Sequence, residues 1–146
     1  MTLRLTSAQM AEIEAHARST YPEECGGLLL GLARQNVRTV FSILPLTNQR
    51  ADSRHNRVEL SPLDYARGEK EAARLGLGVW GFYHSHPDHP AVPSDFDLEH
   101  AGFVDWSYLI TPVHQGRAAP SRSWILREDR TAFEEEAIEM LDQMED

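Results

Sequence analysis

The longest apolar run in the chain extends from Cys25 to Leu32 and is interrupted only by glycines. A run that is apolar on both faces predicts a buried strand in the middle of a sheet. A second segment, Val37 to Leu46, alternates less cleanly, and we expect it to pair with the first strand through a turn near residues 33–36. A third run, Leu77 to Tyr83, is apolar and aromatic and predicts another buried strand.

Shorter segments extend the predicted sheet. Residues 2–5, Trp106 to Thr111 and Ser123 to Arg127 each have the pattern of a short strand, and another is predicted at Val58 to Leu60. The C-terminal segment, Thr131 to Asp146, fits a helix through the spacing of its apolar residues, yet it also suits an edge strand. The pattern leaves both alternatives open.

Helix start and stop signals occur at three places between these strands. A Ser or Thr cap precedes an apolar stripe over residues 7–19. The Ser-Pro pair at positions 61–62 predicts the start of a second helix, which ends at Gly76. A third helical segment is predicted from Ser94 to about Gly102. Strands that alternate with three helical segments indicate an α/β or α+β fold.

Length, charge and cysteine content restrict the domain organisation and the class of partner. The chain has 146 residues, and we expect a single domain over residues 1–146 with its own core. A net charge of −9 argues against nucleic acid and anionic membranes as partners. One cysteine cannot form an internal disulfide, and no signal peptide or membrane span is visible near the N-terminus. We therefore expect a soluble cytoplasmic protein.

Two histidines follow the third apolar run and lie two residues apart. In a strand, side chains at i and i+2 point to the same face, so His84 and His86 direct two imidazoles into one space. A proline-rich loop follows and can bring Asp97 towards them. Two imidazoles and a carboxylate form a three-ligand zinc set with a fourth position open for water. Alternatively, the histidine pair arises by chance, and Ser94 and Asp97 only cap a helix, although the cap and the metal site are compatible.

This stretch resembles the signature of the JAMM (MPN-plus) metallopeptidase family. His-Ser-His at positions 84–86, a gap of seven residues and Ser-x-x-Asp at positions 94–97 match that signature. The family also places a glutamate ahead of a glycine-flanked apolar strand. Alignment of that strand with Gly27 to Gly31 assigns the glutamate to Glu24. The resemblance covers the chain from about residue 6 to residue 127.

The resemblance implies a JAMM/MPN (cytidine-deaminase-like) fold, a mixed β-sheet flanked by helices with Zn²⁺ at the edge of the sheet. It implies His84, His86 and Asp97 as zinc ligands and zinc-bound water as the nucleophile. Glu24 would be the general base that passes a proton to the leaving amine. The hydroxyl of Ser94 would face the oxygen of the tetrahedral intermediate. The resemblance also favours a strand for the first part of the C-terminal segment.

The same resemblance indicates the class of substrate. Family members typically hydrolyse the amide or isopeptide bond after the C-terminal Gly-Gly of ubiquitin-like proteins, and small bacterial members resemble enzymes that act on ubiquitin-like sulfur carrier proteins. It therefore implies a zinc peptidase with such a carrier as substrate. A metal-free MPN scaffold or interaction module and a peptidoglycan or phage-type amidase are the alternatives. The polar segment Thr47 to Arg57 is either a flap that contacts substrate or a solvated connector.

Other polar residues near the motif are assigned lesser roles. We expect Ser85 on the opposite face of the strand, and Asp88 and Asp95 in solvent. His89 lies in the loop near the metal ligands and is expected to be exposed. Cys25 raises the possibility of a thiol nucleophile paired with a histidine. A cysteine at the head of an apolar strand is, however, commonly a small buried hydrophobic residue.

Overall fold

The computed structural model describes residues 1–47 and 59–143. Within these ranges the chain forms eight strands and three helices. In chain order they are β1 (Thr2–Thr6), α1 (Ser7–Thr20), β2 (Gly26–Arg34), β3 (Val37–Leu46), α2 (Pro62–Arg74), β4 (Gly78–Pro87), α3 (Asp95–His100), β5 (Ser107–His114), β6 (Arg117–Ala118), β7 (Arg122–Leu126) and β8 (Phe133–Leu141).

The strands form one sheet that closes on itself. Hydrogen-bonded neighbours follow the order β4-β2-β3-β1-β8-β7-β5-β6, and β4 also pairs with β5. β1 is parallel to β3 and to β8, and β4 is parallel to β5, whereas β2 is antiparallel to β3 and to β4. The expected mixed sheet is therefore confirmed. β4 is not an edge strand, because it has a partner on each side, so the two histidines lie near the end of an interior strand.

The predicted helix caps have the expected geometry. Thr6, rather than Ser7, caps α1, and its side chain and that of Gln9 each accept the backbone N–H of the other residue. Ser61 caps α2, and its Oγ accepts the N–H of Asp64 at 3.1 Å. Gly76 follows α2 with a φ of 74°, a left-handed conformation that glycine adopts readily at a helix end.

Successive residues of the central strands alternate between two apolar clusters, as the strand period requires. Leu29 and Tyr83 belong to the cluster that packs with Ile13 of α1. Leu28 and Phe82, one position earlier in each strand, belong to the cluster that packs with α2. Because side chains alternate along β4, His84 and His86 lie on the same face of the strand as Phe82.

Two glycines permit close packing around β2. A Cβ atom at Gly27 would overlap the ring of Tyr83, and one at Gly68 of α2 would overlap the side chain of Leu28. α2 therefore approaches β2 closely at Gly68, whereas not all of its large apolar residues are buried. Leu63, for example, is 60% exposed.

The C-terminal segment is a strand, so the helical alternative is wrong for residues 133–141. β8 pairs with β1 and with β7, and ion pairs join it to both neighbours. Arg4 lies 2.8 Å from Glu139 on the β1 side, and Arg122 lies 2.6 Å from Glu135 on the β7 side. Opposite charges on adjacent strands favour this pairing.

The remaining differences from the predicted elements are small. β4 continues to Pro87, so both histidines lie within the strand. α3 ends at His100, residues 59–60 are not in a strand, and β6 lies inside a predicted loop. Most of the predicted flap or connector, residues 48–57, lies outside the described residues. Among the described residues, no helix is long and apolar enough to span a membrane.

Candidate metal centre

The C-terminal end of β4 buries two imidazoles on one face of the sheet. His84 is 3% exposed and His86 is 6% exposed. His84 lies opposite Gly26 of β2 and beside Ile110 of β5, so strands enclose it on both sides. The period of two predicted from the sequence therefore brings the two side chains into one buried space.

The cap of α3 orients the third candidate ligand. The Oγ of Ser94 accepts the N–H of Asp97 at 3.1 Å, and Oδ2 of Asp97 accepts the N–H of Ser94 at 2.8 Å. This reciprocal capping box fixes the carboxylate in the first turn of the helix. The helix-cap interpretation is confirmed, and it is compatible with a metal site because the same carboxylate also reaches both histidines.

The ligand atoms of the three residues converge. Nε2 of His84 lies 3.2 Å from Nε2 of His86 and 3.3 Å from Oδ1 of Asp97. Nε2 of His86 lies 3.0 Å from Oδ2 of Asp97. Tetrahedral zinc with bonds of about 2.0–2.1 Å separates its ligand atoms by about 3.3–3.4 Å. The spacing of these donors therefore fits a zinc ion, and three protein ligands leave the fourth tetrahedral position open.

Surrounding hydrogen bonds prepare these groups to bind a cation. Nδ1 of His86 donates to the carbonyl oxygen of Pro90 at 2.8 Å, which orients the ring so that Nε2 faces Asp97. Burial alone would raise the pKa of Asp97. The two adjacent imidazoles and the N–H of Ser94 instead hold that pKa well below its usual range. The carboxylate is therefore ionised, as cation binding requires.

Glu24 lies just before β2 and is 3% exposed. It lines an open cleft together with His86 and Ser94. The cleft adjoins the candidate ligands, because His86 belongs to both. The fold therefore gathers all five residues that the sequence singled out, although Glu24 is distant from the others in the chain.

Ser85 lies on the other face of β4, and Cys25, directly before β2, belongs to the apolar cluster that packs with α1. Ser85 is fully buried, as its strand position predicts, and its Oγ accepts the N–H of Cys25 at 2.8 Å. Burial raises the pKa of the Cys25 thiol to about 11. A thiol that stays protonated is a poor nucleophile. The structure therefore argues against a cysteine mechanism.

Asp88 departs from its expected role. Asp95 and His89 are exposed, as predicted, and Asp88 is also exposed. Asp88, however, is not simply solvated, because its carboxylate accepts the N–H of Gln115 at 2.9 Å and the hydroxyl of Tyr21 at 2.7 Å. These two donors lower the pKa of Asp88. The sequence gives no local signal for these contacts, because both partners are distant in the chain.

An aromatic cavity adjoins the candidate metal site on the side of His84 and Asp97. Sequence reasoning missed it because its walls come from separate segments of the chain. The rings of Phe103 and Trp106 are stacked with their centroids 4.0 Å apart. The aromatic residues that line the cavity are Phe82, Phe96, Phe103, Trp106 and Tyr108.

Comparison with known proteins identifies relatives over most of the chain. A family model of prokaryotic homologs of the JAB domain matches residues 6–127. The Lys-63-specific deubiquitinase BRCC36 of Xenopus tropicalis is 38% identical over 90 residues, which cover 57% of this chain and 34% of BRCC36. The chain thus spans about a third of the length of that relative. The desampylase of Haloferax volcanii is 34% identical over 112 residues, which cover 74% of this chain and 78% of the desampylase.

Solved structures share the fold. The solution structure of protein DSY2949 from Desulfitobacterium hafniense has a TM-score of 0.86 at 31% identity and covers 98% of this chain and 95% of that one. A structure described as JAMM, a metalloprotease-like zinc site in the proteasome and signalosome, has a TM-score of 0.54 at 17% identity and covers 97% of this chain and 99% of that one. The latter likeness concerns the fold alone and confirms the expected JAMM/MPN architecture. Because the family model spans most of the chain, the protein belongs to the family of prokaryotic homologs of the JAB domain.

Proposed function

We propose that this chain is a zinc-dependent peptidase that hydrolyses the amide bond at the C-terminal Gly-Gly tail of a ubiquitin-like protein. The observation that carries the proposal is the convergence of His84, His86 and Asp97 beside a cleft that contains Glu24 and Ser94. Burial of two imidazoles against a carboxylate is costly unless their charges and hydrogen bonds are compensated. A scaffold without metal has no need for this arrangement, and therefore the geometry favours a catalytic site over an interaction module.

The residues of the cleft have complementary roles in such a reaction. Zinc held by the three ligands would act as a Lewis acid that lowers the pKa of a coordinated water towards about 7. Glu24 accepts a proton on its carboxylate and delivers it to the leaving nitrogen. The Oγ of Ser94 accepts the N–H of Asp97, so its own proton is available for donation to the carbonyl oxygen of the substrate.

The names of the relatives support the proposed class of substrate. One is named a deubiquitinase and the other a desampylase, and both names denote removal of a protein modifier. A Gly-Gly tail has no side chains and can therefore approach the backbone of the cleft closely. The finer assignment, to a ubiquitin-like sulfur carrier protein, rests on the resemblance to small bacterial members of the family.

Metal content and cleavage, measured together, test the proposal. Wild-type protein should bind about one zinc per chain and release a residue added after the Gly-Gly tail of a carrier protein. Asp97→Ala should lose both properties. Glu99→Ala, which changes an exposed acidic residue of the same helix that does not line the cleft, should keep both and is the matched control. Zinc without cleavage would exclude the sulfur carrier as substrate, and a wild type that binds no zinc would leave the scaffold as the function.

A further inference from the structure

The segment that bears Glu24 is attached to β4 on both sides of that residue. On the C-terminal side, Cys25 exchanges two hydrogen bonds with Ser85, one from its N–H to Oγ at 2.8 Å and one from the N–H of Ser85 to its carbonyl oxygen at 3.1 Å. On the N-terminal side, the hydroxyl of Tyr21 donates to Oδ2 of Asp88 at 2.7 Å. Ser85 lies between the two candidate histidine ligands, and Asp88 follows β4 directly.

Asp88 is itself fixed by the neighbouring strand. Its N–H donates to the carbonyl oxygen of Val113 at 2.7 Å, and its Oδ1 accepts the N–H of Gln115 at 2.9 Å. Its φ is 56°, a left-handed conformation that Asp adopts more readily than most residues other than glycine. One carboxylate oxygen is therefore bound to the β5–β6 turn, and the other oxygen binds Tyr21.

We propose that Tyr21 and Asp88 are positioning residues that hold Glu24 at the correct place for proton transfer. This inference rests on the proposed function. Tyr21 precedes Glu24 by three positions, and Asp88 follows His86 by two, so their hydrogen bond joins the segment of the base to the strand of the ligands. Its loss would leave the chain ahead of Glu24 held mainly by the hydrogen bonds between Thr20 and Glu23, which do not reach β4, and would remove no metal ligand. A displacement of about 1 Å at a reacting group is enough to lower turnover by up to about 100-fold.

Tyr21→Phe tests the inference because it removes only the hydroxyl. We expect kcat to fall about tenfold, with KM and zinc content unchanged. Tyr65→Phe is the matched control, because a neighbouring carboxylate, that of Glu69, likewise acts on the hydroxyl of Tyr65. It should behave as the wild type. Asp88→Gly, which keeps the left-handed backbone favourable, should lower kcat to a similar extent. The double variant should be no worse than either single variant, because the two residues act as a unit.

Hydrogen exchange gives a measurement that does not depend on activity. The amides of residues 23–25 should exchange several-fold faster in Tyr21→Phe than in wild type or Tyr65→Phe. Unchanged kcat in Tyr21→Phe would overturn the inference, whether or not exchange becomes faster. If the wild type cleaves no substrate, the proposed function fails, and hydrogen exchange alone then tests whether Tyr21 anchors the Glu24 segment. In that case faster exchange supports anchoring of the Glu24 segment, and unchanged exchange overturns it.

Discussion

Replacement of Ser94 by alanine separates two consequences of a single hydroxyl group. The Oγ of Ser94 accepts the N–H of Asp97 at 3.1 Å, so the substitution removes a helix cap and costs about 1 kcal/mol of unfolding free energy. In a domain of this size, that loss lowers Tm by about 2–4 °C. The hydroxyl also lies in the cleft with Glu24. There, loss of a donor to the substrate oxygen should lower kcat by about 10²–10³-fold, or about 2.7–4 kcal/mol.

Ser61 provides a matched control because it caps α2 with the same geometry, its Oγ also lying 3.1 Å from the nitrogen it accepts. Thermal unfolding of the two alanine variants should show similar losses of Tm. Turnover of a carrier protein with one added residue should fall only in Ser94→Ala. Zinc content is measured alongside, because Asp97 shares the cap of α3. Equal kcat in Ser94→Ala and Ser61→Ala would refute the oxyanion role and leave Ser94 as a cap alone.

Three further predictions concern single positions. Glu24→Gln should retain its zinc while kcat falls by about 10²–10⁴-fold in steady-state assays, and loss of zinc would instead assign Glu24 to metal binding. The Cys25 thiol, with a pKa raised to about 11, is about one-thousandth ionised at pH 8. Mass spectrometry should therefore detect alkylation only after denaturant is added, and rapid labelling of native protein would contradict its burial. Gly27→Ala should destabilise the protein by about 1–3 kcal/mol, because the added Cβ overlaps Tyr83. Gly102→Ala, with no described atom within 4 Å of the added Cβ, should leave Tm nearly unchanged, and equal Tm values would show that Tyr83 can move aside.

The features that the sequence predicts well depend on residues that are close together in the chain. The spacing of His84 and His86 is enough to place both on one face of a strand. The Ser-Pro pair at positions 61–62 is enough to start α2. The approach of Asp97 to these histidines could also be predicted, because only a short loop and a helix cap separate them in the chain. The assignment of Glu24 depended on the family resemblance, because its distance from the motif gives no geometric information.

The features that the sequence does not reveal depend on long-range pairing. The apolar spacing of residues 133–141 fits a helix. The strand is stabilised instead by ion pairs with Arg4 and Arg122, which lie on other strands. The closure of β4 onto β5 joins two segments that are separated by α3. The contacts of Asp88 depend in turn on that closure, because they reach the far end of β5.

The three candidate ligands and the candidate base differ in how much of the chain must fold to bring them into place. The ligands lie between positions 84 and 97, and closing so short a loop costs little entropy. Glu24 reaches the cleft only after β2 has paired with β4. The candidate ligand set and its pairing with Glu24 therefore depend on different parts of the fold, the first on a short local segment and the second on the long-range pairing of β2 with β4.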